Sequence, residues 1–275
     1  MLTDYHMHLV GDDDPYTDEV FTLSRVETYV DSARAAGIDE IGFTDHVYRF
    51  RQARGWSDHP LWVKGAMADL DRYHACLVAA RDAGLPVKAG LEVDYLAGRE
   101  ALIAATVGRM EWDFLLGSVH WVAGFAVDWE AASIWERYPV DRVWSMYVDD
   151  LCAAAASGIY DTMAHPDLAK VFGHRPQPKP LGLYEQIADA FAAAGVCAEV
   201  STAGFDRALG ELYPDPDLLA LFHRRDVPVT LASDAHRPDH VARSFDRALA
   251  LLREIGYRTI TVFDRRERRQ VAFDG

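Results

Sequence analysis

One pattern recurs along this chain and constrains its fold more than any other feature: a helical segment, a glycine, a short apolar strand and then a polar residue. Apolar residues at helical spacing mark the helical segments, each ending at a glycine, and these are 20–36, 67–83, 140–156, 183–194 and 241–255. The strand-like runs between them are 5–10, 40–44, 87–93, 114–122, 160–164, 196–200 and 227–232. Regular alternation of strand and helix predicts a parallel sheet with helices outside it, an α/β fold.

Seven strand–helix units close more naturally into a TIM-like barrel than into an open sheet. In such barrels the chemistry lies at the carboxyl ends of the strands. An open, doubly wound sheet is the alternative, but it would concentrate polar residues at one switch point instead of spreading them over all strands. The chain shows no internal repeat, low-complexity tract or linker, so we expect one domain over residues 1–275.

The polar residues at the predicted strand ends are histidines and acids. Residues two apart in a strand point the same way, so His6 and His8 can offer two imidazoles to one metal ion, and Asp234 with His236 repeats this geometry. The candidate ligands are His6, His8, Asp14, His46, Glu92, His120, His165, Asp234 and His236. Imidazole and carboxylate without thiolate favour zinc, manganese or iron, and the size of the set predicts two to three divalent ions.

Single members of this set could instead have purely structural roles. His46 follows Thr44 and Asp45 and could cap a strand end, and His165 precedes Pro166 and could be a turn residue. Glu92 is the strongest candidate, because a carboxylate inside an apolar strand is costly to bury without a partner.

Composition excludes several classes of protein. The formal net charge is −15 and the arginines are scattered, so no basic stripe is available to neutralise nucleic-acid phosphates. The arginine-rich run 265–269 is interrupted by an acid and is expected to be solvated surface. Three isolated cysteines suit a reducing compartment, and neither a secretory signal nor a membrane-length apolar run occurs. We therefore expect a cytoplasmic protein without a nucleic-acid or membrane partner.

The order of motifs, HxH, DH, GLEVDY, SVH, HPDL and SDAH, resembles the polymerase-and-histidinol-phosphatase (PHP) superfamily of metal-dependent phosphoesterases. Within it, the chain resembles the monomeric-type histidinol-phosphatases, mainly through segments 90–95, 118–121 and 201–214. The resemblance covers residues 4 to about 256 and implies a distorted seven-stranded (β/α)7 barrel with a trinuclear metal site.

The resemblance also implies how the ligands divide. One ion would be held by His6, His8, Glu92 and Asp234, and a second by Glu92, His120 and His165. The third would take His46, His236 and a residue of the first loop. That loop residue is often a histidine in the family and here aligns with Asp14, although Asp12 and Asp13 are close enough to replace it. Glu92, Asp234 and His236 are the expected catalytic residues among them.

The implied reaction is hydrolysis of L-histidinol phosphate to L-histidinol and inorganic phosphate, a step of histidine biosynthesis. The sequence contains no glycine-rich phosphate loop, serine nucleophile elbow or aspartyl-phosphate motif, which leaves attack by a metal-bound hydroxide. Arg207 and Lys170 are candidates to bind the phosphate, and Glu211 with Tyr213 to bind the ammonium or imidazole of the substrate. Glu199 is expected either to support a metal ligand or to face the substrate.

Two other functions compete with this one. A nucleotide or oligonucleotide phosphoesterase would keep the site and change the substrate, but the acidic composition disfavours it. A metal-binding regulatory or scaffold protein without catalysis is disfavoured because every ligand position is filled.

Overall fold

The chain folds around a parallel sheet in which the strands follow one another in chain order. A computed structural model describes residues 1–12, 14–15, 17–207 and 209–273. The strands in these ranges are β1 Thr3–Met7, β2 Glu40–Phe43, β3 Val87–Asp94, β4 Phe114–Ser118, β5 Trp121–Val122, β6 Phe125–Ala126, β7 Thr162–Met163, β8 Cys197–Ser201, β9 Val229–Ala232, β10 Thr259–Asp264 and β11 Glu267–Ala272. β1, β2, β3, β4, β7, β8 and β9 form the sheet, and all of its neighbouring pairs are parallel.

The two edges of this sheet meet, which makes it a barrel. Met7 at the end of β1 bridges to Ala235 just after β9. The His8 amide donates to the Ala235 carbonyl at 2.8 Å, and the Ala235 amide donates to the His6 carbonyl at 3.2 Å. The predicted seven-stranded α/β barrel is confirmed.

Helices alternate with the barrel strands. Within the described ranges they are α1 Leu23–Ala35, α2 Pro60–Gly65, α3 Leu70–Asp82, α4 Glu100–Val107, α5 Val140–Ala156, α6 Leu181–Ala194, α7 Pro216–Arg224 and α8 Phe245–Ile255. Five of them correspond to the predicted segments. No helix of the described chain is long and apolar enough to cross a membrane.

Three helices, α2, α4 and α7, are absent from the sequence prediction, and α4 and α7 are absent for different reasons. α4 has the sequence EALIAATV, which is too uniformly apolar to show a polar face. α7 begins with an available signal, because Asp215 caps it by accepting from the Asp217 amide and Pro216 occupies its first turn.

The strand ends also differ from the prediction. The run 114–122 is not one strand: β4 ends at Ser118, and β5 and β6 form a small hairpin that turns at Ala123 and Gly124, both with positive φ. The C-terminal hairpin β10–β11 was not predicted. Its turn is made by Arg265 and Arg266, and residues 265–269 are exposed, as expected for that run.

The hairpin β10–β11 belongs to the apolar packing at the amino-terminal end of the barrel. Val262 and Phe263 join a buried cluster with Tyr5, Phe114, Leu116, Ala164 and Cys197. The Phe114 ring requires two glycines, because a Cβ on Gly42 or Gly90 would lie 2.8 or 2.7 Å from it. This end of the barrel is filled by side chains, which leaves the carboxyl ends of the strands for a site.

Candidate metal centre

The end of β1 places two imidazoles on one side of the strand. His6 and His8 are fully buried, and their ring centroids are 5.0 Å apart. His6 Nδ1 lies 2.8 Å from a Glu199 carboxylate oxygen, which directs Nε2 toward the barrel axis. Burial lowers the pKa of His6, but the carboxylates of Glu199, Asp234 and Glu92 outweigh it and raise the pKa well above its ordinary value.

Glu92 lies at the centre of the cluster, and its two oxygens face different histidines. Oε1 is 3.3 Å from His120 Nε2 and 3.2 Å from His165 Nε2. Oε2 is 2.5 Å from His46 Nδ1 and 3.5 Å from His6 Nε2. Burial raises the pKa of Glu92, yet the surrounding imidazoles, His46 first, hold it well below its ordinary value. This carboxylate is therefore an anion placed between two groups of imidazoles.

A second carboxylate, Asp234, completes the opposite side. Its Oδ1 lies 3.2 Å from His8 Nε2, 3.5 Å from His6 Nε2 and 3.6 Å from His236 Nδ1. The His8 ring packs against the rings of both His46 and His236, with centroids 4.3 and 4.1 Å away. Burial, followed by the charges of His236 and His46, holds the pKa of His8 well below its ordinary value, so that its imidazole is neutral.

The cluster contains buried polar atoms that lack a hydrogen bond in the described structure. They are Nε2 of His6 and Nδ1 of His8 and His165, together with His46 Nδ1 and Glu92 Oε2, which lie 2.5 Å apart but are not aligned as a hydrogen bond. Such atoms are costly to bury without a partner. Four sets of ligand atoms lie within 4.8 Å of one another: His8–His46–His236, His6–Glu92–His165, His6–His8–Asp234 and His46–Glu92–His120. Imidazole and carboxylate donors in this arrangement fit divalent metal ions.

Acidic side chains around the cluster hold the ligands and their backbone in place, and most of these acids were not predicted from the sequence. Asp94 accepts from His120 Nδ1 at 2.9 Å, and Asp45 accepts from the Leu9 and Val10 amides at 2.9 Å each. Asp4 accepts from the amide of Ser233 at 2.9 Å. A signal was present, since Asp4 and Asp94 each lie two residues from a candidate ligand, on the same face of the strand. Glu199 supports two ligands, because its other oxygen accepts from the His165 amide at 3.1 Å.

The first loop does not bring Asp14 into any of the four sets. The Asp14 carboxylate accepts from the Gly11 amide at 2.8 Å and pairs with the guanidinium of Arg25. Asp12 lies closer to the cluster, with Oδ1 3.7 Å from His236 Nε2, although its side chain is 78% exposed. The other alternative, Asp13, lies outside the described residues.

A cavity of about 470 Å³ opens above the cluster. Its floor includes His46, His120, His165, Asp234 and His236, and its walls include Asp12, Tyr48, Trp62, Trp121, Asp128, Trp129, Arg207 and Tyr213. The walls come largely from the long segments after β2 and β4. The arrangement offers metal-type ligands at the bottom and aromatic and charged side chains above.

The predicted substrate contacts divide into two groups. Arg207 and Tyr213 line the cavity, and the buried Tyr213 hydroxyl has no hydrogen-bond partner among the described residues. Lys170 does not line it: the side chain is fully buried, its Nζ donates to the Leu212 carbonyl at 2.7 Å, and it pairs with Asp167 at 2.7 Å.

Glu211 is also absent from the residues that line the cavity. Its carboxylate accepts two hydrogen bonds from the Arg175 guanidinium, one of them at 3.1 Å. Its charge is therefore already compensated within the protein.

Comparisons with known proteins agree with this fold and site. The structure superimposes on that of a histidinol phosphate phosphatase from Lactococcus lactis complexed with zinc, L-histidinol and phosphate, with a TM-score of 0.77, 19% identity and 98% of each chain covered. It also superimposes on a protein assigned as a histidinol phosphatase from Listeria monocytogenes, with a TM-score of 0.73, 21% identity, and 89% of this chain and 99% of that chain covered. These two likenesses concern the fold.

Sequence comparison finds a relative of higher identity. A "probable histidinol-phosphatase" from Deinococcus radiodurans is 34% identical over 237 residues, which are 85% of this chain and 88% of that protein. The PHP domain model matches residues 21–203. With that match and the metal-type cluster at the mouth of the barrel, the chain belongs to the PHP domain family.

Proposed function

We propose that this protein is a metal-dependent phosphomonoesterase that hydrolyses L-histidinol phosphate to L-histidinol and phosphate. The single observation that carries the proposal is the cluster around Glu92, which opens into a cavity with Arg207 in its wall. Family membership and the 34% identical relative support the choice of substrate.

The described residues suggest which side chains would hold two to three divalent ions of zinc, manganese or iron. His6, His8, Glu92 and Asp234 would hold one. Glu92, His120 and His165 would hold a second. His46 and His236 would contribute to a third, together with Asp12 rather than Asp14, because Arg25 already neutralises Asp14.

Divalent ions held by these residues would lower the pKa of bound water and neutralise phosphate charge. The protein has its own part in the reaction, in which water attacks phosphorus and the bond from phosphorus to the substrate oxygen breaks. The guanidinium of Arg207 is suited to bind non-bridging phosphate oxygens. The carboxylate of Asp234 lines the cavity and can accept the proton that the attacking water loses and pass it to the leaving substrate oxygen, which departs as a hydroxyl group. Glu199 and Asp94 orient the imidazoles of His6 and His120.

A kinetic screen of the metal-reconstituted protein tests this proposal. The substrates are L-histidinol phosphate, p-nitrophenyl phosphate and single-stranded DNA, each with zinc, manganese or iron and with a chelated control. We expect kcat/KM to be highest for histidinol phosphate and to vanish in the chelated protein. Preferential cleavage of DNA would support the oligonucleotide alternative, and turnover in the metal-free protein would contradict the proposal.

A further inference from the structure

The wall of the cavity carries a carboxylate that neither the metal-type cluster nor the fold uses. This residue is Asp128, which lies after the β5–β6 hairpin and is half-buried. We propose that Asp128 determines specificity by binding the cationic end of the substrate, an inference that rests on the proposed function. The ligand it selects is a small phosphate monoester whose organic end carries an ammonium or imidazolium group.

The backbone beside Asp128 is fixed to the metal-type cluster. The Val127 amide donates to the carbonyl of His120 at 2.9 Å, and the Val127 carbonyl accepts from the Trp135 indole at 2.8 Å. Both polar backbone groups of Val127 are therefore occupied. The carboxylate that follows is held at a set place in the cavity wall, as a specificity residue must be.

The carboxylate of Asp128 has no hydrogen bond or ion pair with any residue in the described ranges. The other acids considered for the site are engaged: Glu211 by Arg175 and Asp234 by the imidazoles of the cluster. Asp12 lies near His236 and is mostly exposed. Asp128 is thus placed to accept a hydrogen bond from a ligand without first losing a partner in the protein.

The cavity wall carries charges of both signs. Asp128 and Arg207 line the same cavity, whose floor includes His120, His165 and Asp234. A carboxylate and a guanidinium in one wall complement a substrate with opposite charges at its two ends.

Aromatic rings line the same cavity as Asp128. Trp62 and Trp121 lie edge to face with centroids 6.2 Å apart, and Tyr48 stacks on His46 at 4.7 Å. Trp129, the neighbour of Asp128 in the sequence, also lines this cavity. Aromatic faces attract organic cations and pack against planar rings such as imidazole. A cavity that offers a carboxylate and several aromatic rings is suitable for a cationic, partly apolar group.

The simpler alternative is that Asp128 is a solvated acid in a loop. Substitution distinguishes this alternative from a role in specificity. Asp128→Asn keeps the size and removes the charge. Glu130→Gln, two residues further along, is the matched control, because Glu130 is exposed and does not line the cavity. For each variant we would measure kcat/KM for L-histidinol phosphate and for p-nitrophenyl phosphate, which has no cationic end. Inhibition by L-histidinol and by inorganic phosphate would be measured on the same preparations.

The expected effect follows from the charge. A hydrogen bond to a charged group contributes about 1.5–3 kcal/mol, so Asp128→Asn should lower kcat/KM for histidinol phosphate roughly 10- to 100-fold. The inhibition constant of L-histidinol should rise by a similar factor. The aryl phosphate rate and the phosphate inhibition constant should stay at the wild-type value, as should every parameter of Glu130→Gln.

Several outcomes would overturn the inference. One is that kcat/KM falls equally for both substrates in Asp128→Asn, and another is that it falls for neither. A third is that Glu211→Gln, and not Asp128→Asn, selectively lowers kcat/KM for histidinol phosphate. Metal content and thermal melting establish that the variants fold, with Asp128→Ser as a second replacement. Failure of the proposed function appears separately, as a wild-type protein without preference for histidinol phosphate over the aryl phosphate.

Discussion

The two ends of the barrel are built from the same strands and differ completely in chemistry. In the middle of β3, Gly90 makes room for the ring of Phe114, and two residues later Glu92 contacts four imidazoles. β4 changes in the same way, from Phe114 and Leu116 in the buried cluster to His120 just past its end. A step of two residues along one face of a strand is enough to pass from packing to ligand chemistry.

This difference implies that stability and activity have separate sources. The closed end is held by close-packed apolar side chains, whose removal leaves cavities. The open end holds buried nitrogens and oxygens without hydrogen bonds, which destabilise the fold unless a ligand satisfies them. Substitutions at the two ends should therefore affect different measurements.

The largest effect on activity is expected for Glu92→Gln. The variant keeps the shape of the side chain but removes the charge that faces both groups of imidazoles, so we expect turnover to fall to background and the metal content to decrease. Asp14→Ala is the comparison, since Arg25 pairs with Asp14 outside the cluster. Turnover and bound metal, measured on folded protein, check the prediction. Equal residual rates in the two variants would mean that Glu92 has no bridging role.

The corresponding change at the closed end is Phe114→Ala. Its ring is fully buried against Tyr5 and Phe263, with centroids 5.1 and 5.4 Å away. Its loss should lower the free energy of unfolding by about 3–5 kcal/mol. Urea unfolding measures this, with the half-exposed Leu181→Ala as a control. The metal affinity of the molecules that remain folded should not change. A loss of metal binding before unfolding would show that the two ends are coupled.

The sequence was sufficient for features that depend on period and order. Parallel strands, outer helices and the convergence of histidines follow from residues spaced by two in strands and by 3.6 in helices, and the ligands in β1 and after β9 meet as expected. Asp14 shows the limit of this approach. It lies in a loop, where no period fixes direction, and the carboxylate pairs with Arg25 from helix α1.

Pairing between charged side chains of the protein decides which of the predicted substrate contacts remain available. Lys170 was predicted because it follows a strand that carries a ligand, and Glu211 because a carboxylate suits the cationic end of the substrate. Each is matched by a partner of opposite charge, Asp167 inside the same turn and Arg175 some 36 positions away. Asp128 lies in a segment without periodicity, and only the folded chain shows it in the cavity wall.

A smaller effect, on metal affinity, is expected when a side chain that orients the ligands at the open end is changed. Glu199→Gln removes the charge that orients His6 and weakens the acceptor for the His165 amide. Loss of such an outer contact typically weakens metal affinity about 10- to 100-fold, with the ligands themselves intact. Competition with a metal-binding dye measures the affinity, and Glu185→Gln on the exposed face of α6 is the control. An unchanged affinity would mean that packing alone orients His6.

The last effect, which depends on pH, concerns a hydrogen bond at the closed end. The Tyr5 hydroxyl donates to Glu40, and Lys88 lies 3.7 Å from the same carboxyl group. Burial raises the pKa of Glu40 above its ordinary value, and the hydrogen bond from Tyr5 opposes that rise. A raised pKa means that the folded state holds the proton more tightly than the unfolded chain, so this carboxyl destabilises the fold increasingly as the pH rises above about 4.5.

Tyr5→Phe should therefore raise the pKa of Glu40 further and cost more stability at neutral pH than in weak acid. At pH 7.5, where the carboxylate is charged, a loss of about 1.5–3 kcal/mol is expected, and at pH 4.5 a smaller one. Urea unfolding of wild type and Tyr5→Phe at the two pH values, both freed of metal by chelation, gives the difference directly. A pH-independent loss would contradict the role assigned to the charge of Glu40, and no loss at either pH would show that Tyr5 acts only through the packing of its ring on Phe114. The tyrosine would then stabilise the fold only through apolar packing at the closed end of the barrel.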